Sequence, residues 1–168
     1  MSENKHHKRV LVNLINENGI KIFAEIGVAR STTLKFILQK TELSEYWAID
    51  PWLPYKGMRH PKLKWESWHM KVCARMLYYP HLRVLMTTSL SASEMFPDGY
   101  FDFVYIDADH RYEYVSLDIE FWLPKVKKGG IIGGHDYDSP DESDVKEAVD
   151  ECFKDVEILD NFVWIKRV

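Results

Sequence analysis

The stretch FDFVYIDADHRY, residues 101–112, decides the fold class of this chain. Its first six residues form a dense apolar run, which is typical of a central strand buried on both faces of a sheet. The polar residues Asp107, Asp109 and His110 follow this run. Polar side chains that follow a buried strand lie at the carboxyl edge of an open α/β sheet, where such folds bind ligands. The stretch therefore predicts an α/β protein with a site at that edge.

Strand-like and helix-like segments alternate on both sides of this stretch, which predicts a mostly parallel sheet of seven strands with helices on both faces. The last two strands flank Asp160 and Asn161 and are expected to form an antiparallel hairpin. The predicted strands are residues 20–26, 46–49, 82–86, 101–106, 126–134, 156–159 and 162–165. The predicted helices are residues 4–18, 63–79 and 112–123, with further helices capped by Ser31, by Ser91 with Glu94, and by Ser139 with Glu142.

Length and composition predict a single domain over residues 1–168, because 46% of the residues are hydrophobic and 29% are charged. The net charge of −4 gives no sign of the concentrated basic surface that duplex binding requires, so no nucleic acid partner is expected. No apolar run reaches the ~18 residues that span a bilayer, which predicts no membrane partner and a cytoplasmic location. Cys73 and Cys152 fall in apolar helical patterns and are predicted to be free, buried thiols.

The turn after the first predicted strand is a candidate ligand site. Small residues at Gly27 and Ala29 let a ligand approach the backbone, and the helix that follows offers free N–H groups. The dinucleotide fingerprint requires glycine at the positions of Ala29 and Thr32, which weakens a pyrophosphate-binding interpretation. Asp50, at the end of the second strand, has two interpretations: it accepts hydrogen bonds from two ribose hydroxyls, or it caps the loop at Pro51.

Asp107 and Asp136 follow two neighbouring predicted strands, so their carboxylates should converge in one crevice. Two carboxylates, water and a substrate oxygen would suit Mg²⁺ or a similar hard cation. His110 and His135 are each close enough in sequence to act as a general base, a ligand or an orienting residue. The alternative is that strand-end aspartates cap the helices that follow them, and this suits Asp109 better than the other two.

Residues 23–27, 48–50, 101–112 and 129–137 together resemble the class I S-adenosylmethionine-dependent methyltransferases, which have a Rossmann-like fold. The last two segments are similar to the metal-dependent small-molecule O-methyltransferases of the macrocin type, methyltransferase family 24. The resemblance extends from the first strand to the terminal hairpin.

The resemblance implies specific roles for residues of this chain. The cofactor S-adenosylmethionine would contact Glu25, Gly27, Ala29, Ser31, Asp50, Ser89 and Asp107, and a divalent cation would bind Asp107 and Asp136. His110 takes the place of a lysine base, and Tyr137 takes the place of an asparagine ligand. These two departures leave the base and the third protein ligand open among Asp109, His110 and His135.

The expected reaction is methylation of a sugar, diol or phenol hydroxyl, assisted by Mg²⁺ or another divalent cation. The alternatives are a metal-independent methyltransferase with a histidine base, a cofactor-binding protein without turnover, and a nicotinamide-dependent dehydrogenase. Residues 51–64 are a candidate lid that could meet an anionic acceptor such as a sugar nucleotide, or a solvated loop whose aromatic residues pack on the next helix. Residues 1–19 and this loop alone remain to shape an acceptor pocket, so a homodimer that closes the cleft is also expected.

Overall fold

The computed structural model describes residues 6–54, 64–140 and 143–168. The strands in these ranges are β1 (Ile22–Ile26), β2 (Glu45–Ile49), β3 (Leu82–Leu85), β4 (Phe101–Ile106), β5 (Val126–Gly134), β6 (Glu157–Leu159) and β7 (Val163–Arg167). The helices are α1 (His6–Glu17), α2 (Thr32–Leu38), α3 (Trp65–Arg75), α4 (Ser89–Ser93), α5 (Tyr112–Trp122) and α6 (Ser143–Cys152), and Leu123–Lys125 forms a 3-10 turn.

The strands form one seven-stranded sheet in the order β3-β2-β1-β4-β5-β7-β6. The first five are parallel, and β7 lies antiparallel between β5 and β6. The predicted sheet and its terminal hairpin are therefore confirmed. The strand order reverses between β1 and β4, which creates a crevice outside the carboxyl ends of these two strands.

Helices cover both faces of the sheet. One core lies under α1, α2 and α3 and includes Phe23, Tyr46 and Tyr105. The other lies under α4, α5 and α6 and includes Val104 and Trp164. Every residue of β4 is buried, because this central strand is covered on both faces.

Asp102 is the only charged residue within β4, and it anchors the start of β1. Its Oδ2 accepts hydrogen bonds from the backbone N–H groups of Lys21 and Ile22 at 2.6 and 2.8 Å. Its Oδ1 lies 2.5 Å from Lys127 Nζ. A buried carboxylate is tolerated here because its acceptor oxygens are satisfied.

The predicted helix caps are largely wrong. Ser31 precedes α2, but its φ is +60° and its side chain makes no capping hydrogen bond. Thr88 caps α4 in place of Ser91, accepting a hydrogen bond from the Ser91 backbone. The described part of α6 begins at Ser143, beyond Ser139, and Glu142 lies outside the described residues.

The two cysteines are free, as predicted, but neither is buried: Cys73 is half-buried and Cys152 is exposed. The apolar pattern alone did not specify which face of each helix is buried. Among the helices that the structure describes, none combines the length and apolarity required to cross a bilayer.

Gly27 allows the end of β1 to pass directly against the end of β4. Its φ is +91°, and a Cβ atom on it would lie 2.2 Å from the Asp107 carbonyl oxygen. The Asp107 N–H donates to the Ile26 carbonyl at 2.8 Å, and the Gly27 N–H donates to the Ile49 carbonyl at 2.9 Å. The small residue at this position is therefore required by chain packing, whatever ligand lies above it.

Gly27→Ala is expected to destabilise the fold far more than Gly129→Ala. Both glycines have positive φ, +91° and +81°, but a Cβ on Gly129 would meet no atom within 4 Å. The Gly129 variant therefore carries only the left-handed backbone strain of about 1–2 kcal/mol. Urea unfolding followed by tryptophan fluorescence measures both losses. Equal losses in the two variants would show that the contact between Gly27 and Asp107 is not restrictive.

Candidate functional site

The candidate site lies at the carboxyl edge of the sheet, where the ends of β1, β2, β4 and β5 come together. The loop after β1 supplies residues 27–31, and Asp50 follows β2. Asp107 directly follows β4, and Asp136 is separated from the end of β5 by His135 alone. The sequence-predicted convergence of these groups at one edge is therefore observed.

The loop after β1 has an unusual backbone. Ala29 and Ser31 have φ values of +42° and +60°, and nearby Trp52 has +44°. The Asp50 carboxylate holds these segments together: Oδ2 accepts the N–H groups of Val28 and Ala29, each at 2.9 Å. Oδ1 accepts the N–H of Trp52 at 2.6 Å. Strained left-handed residues persist only where surrounding contacts fix them, and here one carboxylate supplies three of those contacts.

The loop-capping interpretation of Asp50 is thus confirmed. Burial raises the pKa of Asp50, and the hydrogen bonds from Ala29, Trp52 and Val28 oppose that shift. A carboxylate offers about four acceptor positions, and the backbone occupies three of them. About one acceptor position of Asp50 therefore remains for another donor.

Trp52 belongs to the core and not to a lid. It is 1% exposed, and its Nε1 donates to the Ala29 carbonyl at 3.2 Å. Its ring lies 4.8 Å from the ring of His69 on α3, and His69 Nε2 lies 3.2 Å from Cys73 Sγ. For Trp52, the alternative of packing on the next helix is correct. Residues 55–63 of the predicted lid lie outside the described residues.

Two other residues predicted to contact the cofactor, Glu25 and Ser89, form hydrogen bonds with side chains of the protein itself. Glu25 is 1% exposed and accepts a hydrogen bond from the Tyr46 hydroxyl; burial raises its pKa well above the ordinary value. The Ser89 hydroxyl donates to Asp118, and Ser89 Oγ accepts the Trp122 indole N–H at 2.8 Å. The Ser89 side chain therefore links α4 to α5.

Asp107, His110 and Asp136 form a compact group of potential metal ligands. One ligand atom from each lies within 4.8 Å of the other two. His110 Nε2 is 3.5 Å from Asp107 Oδ1 and 3.4 Å from Asp136 Oδ2. All three side chains are partly exposed, so they face the crevice. The donor chemistry, two carboxylates and an imidazole, fits a divalent cation.

His135 stands beside this group with a different geometry. Its Nδ1 is 3.0 Å from Asp136 Oδ2 but 4.0 Å from Asp107 Oδ1. Burial lowers the pKa of His135, but the hydrogen bond to Asp136 and the charges of both aspartates outweigh burial and raise it. Burial raises the pKa of Asp136, and the two neighbouring histidines outweigh that effect and lower it. His135 is thus the hydrogen-bond partner of Asp136.

Asp109, the remaining candidate ligand, forms an ion pair with Arg111. Its carboxylate holds the Arg111 guanidinium, with the shortest contact at 2.6 Å and a second from Nε at 3.0 Å. Asp109 Oδ1 also accepts the Arg111 backbone N–H at 3.2 Å, at the start of α5. Tyr137, at the family's asparagine position, directs its hydroxyl to Asp150 at 2.7 Å. Neither residue belongs to the observed ligand group.

His7 is a site residue that the sequence reasoning missed. Its ring centroid lies 4.5 Å from that of His135, and its Nε2 lies 3.4 Å from Thr33 Oγ1. Burial is the main reason that its pKa falls to about 4, so it is neutral at neutral pH. Lys8, the next residue, is near enough to Glu25 and Asp107 to interact with their charges. The available signal was topological: a helix that leads into β1 and packs on the sheet places its first turn at the carboxyl edge.

A comparison with protein families identifies the family of this chain. A family model described as a methyltransferase domain, methyltransferase family 24, matches residues 24–137. The chain belongs to this methyltransferase family. The match covers β1 through Asp136 and includes the loop after β1, Asp50, Asp107 and His110.

A curated relative of this chain is the uncharacterized protein y4gI of Sinorhizobium fredii. The two are 29% identical over 94 residues, which is 55% of this chain and 10% of that protein. The chain therefore spans about a tenth of the length of this curated relative.

Solved methyltransferase structures share the fold. A Staphylococcus aureus protein assigned as a caffeoyl-CoA O-methyltransferase superposes with a TM-score of 0.70 at 15% identity, covering 95% of this chain and 80% of that one. The O-methyltransferase NovP gives 0.68 at 19% identity, covering 98% and 79%. A Bacillus cereus O-methyltransferase in complex with SAH gives 0.67 at 13% identity, covering 96% and 79%. The class I methyltransferase fold expected from the sequence is confirmed.

Asp118→Asn is expected to stabilise the protein at alkaline pH and to have little effect near pH 4.5. Burial raises the pKa of Asp118 from 3.8 to about 7. Between these values the folded protein holds a proton that the unfolded chain releases, so stability falls as pH rises through this window. An asparagine cannot ionise, yet its carbonyl still accepts the Ser89 hydroxyl. Urea midpoints at pH 4.5 and pH 8 measure the difference between variant and wild type.

The matched control is Asp98→Asn, since Asp98 is 75% exposed. Its difference from the wild type should remain nearly constant between the two pH values. A constant difference for Asp118→Asn as well would contradict a raised pKa at that residue.

Proposed function

We propose that this chain transfers the methyl group of S-adenosylmethionine to a hydroxyl of a small molecule, with a divalent cation held by Asp107 and Asp136. The observation that carries the proposal is the convergence of Asp107, His110 and Asp136 within 4.8 Å beside the loop after β1. A methyltransferase needs an electrophile, a bound acceptor and a base, and this edge holds residues suited to each part. The printed names of the structural neighbours as O-methyltransferases support an oxygen acceptor.

The loop after β1 and Asp50 form the proposed cofactor side of the crevice. S-adenosylmethionine, when bound, supplies a methyl group on a positively charged sulfur. Asp50 keeps Val28 and Ala29 in position and retains about one acceptor position for a ribose hydroxyl. The neighbour in complex with SAH supports this choice of cofactor. The three backbone hydrogen bonds to Asp50 restrict the loop, and a loop restricted in its binding conformation loses less entropy when a ligand binds.

Asp107 and Asp136 form the proposed acceptor side. A divalent cation, when bound there, lowers the pKa of an acceptor hydroxyl and fixes its direction. His110 or His135 accepts the hydroxyl proton, since both imidazoles lie against these carboxylates. The acceptor class that fits this arrangement is a sugar, a diol or a phenol, because each presents a hydroxyl to a cation through oxygen atoms.

Asp107→Asn and Asp136→Asn are each expected to reduce kcat for methyl transfer by about two to three orders of magnitude, and Asp136→Asn is expected to leave S-adenosylmethionine affinity within a fewfold. The loss follows because each change removes a carboxylate that orients the acceptor. Product formation from labelled S-adenosylmethionine, with catechol and with a uridine diphosphate sugar as acceptors, measures kcat. Calorimetry with S-adenosylmethionine measures affinity.

Asp109→Asn is the matched control, because this aspartate binds Arg111 outside the ligand group. Chelation with EDTA should abolish activity, and Mg²⁺ or Mn²⁺ should restore it. Activity that survives EDTA would establish a metal-independent enzyme. Tight S-adenosylmethionine binding without product under any acceptor would establish a cofactor-binding protein, and preferential binding of reduced nicotinamide cofactor would overturn the methyltransferase proposal.

A further inference from the structure

We propose that His110 is the third protein ligand of the cation site, together with Asp107 and Asp136, and that the site consequently selects a first-row divalent transition metal over Mg²⁺. This inference rests on the proposed function, because it names the metal class and the ligand set of the same site. It changes the role of His110 from a candidate base to a metal ligand.

The contacts of His110 with the two carboxylates are longer than ordinary hydrogen bonds. Its Nε2 lies nearly equally far from the two carboxylates, 3.5 Å from Asp107 Oδ1 and 3.4 Å from Asp136 Oδ2. A hydrogen bond between nitrogen and a carboxylate oxygen is commonly 2.7–3.2 Å long, so neither contact is a good hydrogen bond. Ligands about 2.1 Å from one cation are separated by roughly 3.0 Å at a right angle and roughly 3.4 Å at a tetrahedral angle. The observed spacing matches that of ligands around a shared ion.

His135 provides the internal comparison. Its Nδ1 makes a hydrogen bond of ordinary length to Asp136 Oδ2 at 3.0 Å, and it stands 4.0 Å from Asp107 Oδ1. That asymmetry is typical of a residue that orients one metal-binding carboxylate. The ring of His7, 4.5 Å away, supports the His135 ring on its other side. His135 therefore stays outside the ligand set and is the imidazole left for proton transfer.

The donor set determines the metal class. Mg²⁺ prefers sites composed of oxygen atoms and retains its water molecules, whereas imidazole nitrogen suits zinc, iron, cobalt and nickel. Two carboxylates and one imidazole give a mixed oxygen and nitrogen site. Mn²⁺ accepts both donor types, which makes it a suitable spectroscopic probe of the class. Replacing the imidazole by an amide oxygen should remove the preference.

Pulsed electron paramagnetic resonance on the full chain loaded with Mn²⁺ tests the ligand directly. Coordinated imidazole produces a ¹⁴N modulation in the Mn²⁺ echo, and this readout requires neither an acceptor nor turnover. We expect the modulation in the wild-type protein and its loss in His110→Gln. His135→Gln, which changes an imidazole outside the proposed ligand set, should retain it. Absence of the modulation from the wild-type spectrum would overturn the inference even if a variant fails to fold.

Titrations complete the test. We expect wild-type protein to bind Mn²⁺ at least about tenfold more tightly than Mg²⁺, and His110→Gln to lose most of that preference. Bound Mn²⁺ without ¹⁴N modulation, or modulation lost in His135→Gln and retained in His110→Gln, would overturn the inference and leave the cation site of the proposed function intact. Failure of wild-type protein to bind Mn²⁺ or Mg²⁺ at millimolar concentration would instead overturn the metal-assisted function itself.

Discussion

The close contact between the end of β1 and the end of β4 is the constraint on which the rest of the site depends. Gly27 has no side chain, so its backbone passes against the Asp107 carbonyl, where a Cβ would lie only 2.2 Å away. Hydrogen bonds from Asp107 to Ile26 and from Gly27 to Ile49 join three strand ends in one row. This row fixes Asp50, the loop after β1 and Asp107 relative to one another. The register of β4 with β5 then adds Asp136 to the same edge.

Charge is the second constraint, because the row brings two carboxylates within 4.8 Å of each other. At an effective dielectric constant of 20, like charges at that distance repel by about 3–4 kcal/mol. The imidazole of His110 lies between these carboxylates, and that of His135 lies against Asp136. The raised pKa of His135 is the expected response to this environment. An edge that needs positive charge in the free protein is also suited to a cation.

The sequence predicted the central strands more successfully than the contacts at their ends. The bounds of β4 and β5 were correct, because both strands are dense in buried apolar residues and are limited by turns. The side chain of Ser31 makes no capping hydrogen bond, because capping depends on a backbone conformation that residue type alone does not specify. Asp107 and Asp136 could be paired through sheet topology. Topology also places the first turn of α1 at this edge, but the contact of His7 with His135 depends on how α1 packs.

The ambiguity over the third ligand had a different origin. Asp109, His110 and His135 are equally good candidates by spacing, because all lie within three residues of an aspartate at a strand end. They separate only by direction: Asp109 turns to Arg111, His135 turns to Asp136, and His110 points between the two carboxylates. Side-chain direction is set by local backbone conformation, and Asp136 itself has a φ of +60°, which its residue type does not predict. Strained backbone at a ligand residue costs on the order of 1–3 kcal/mol and persists only where neighbouring contacts fix it. The hydrogen bond from His135 to Asp136 is one such contact, so His135 also fixes a carboxylate that we propose as a cation ligand.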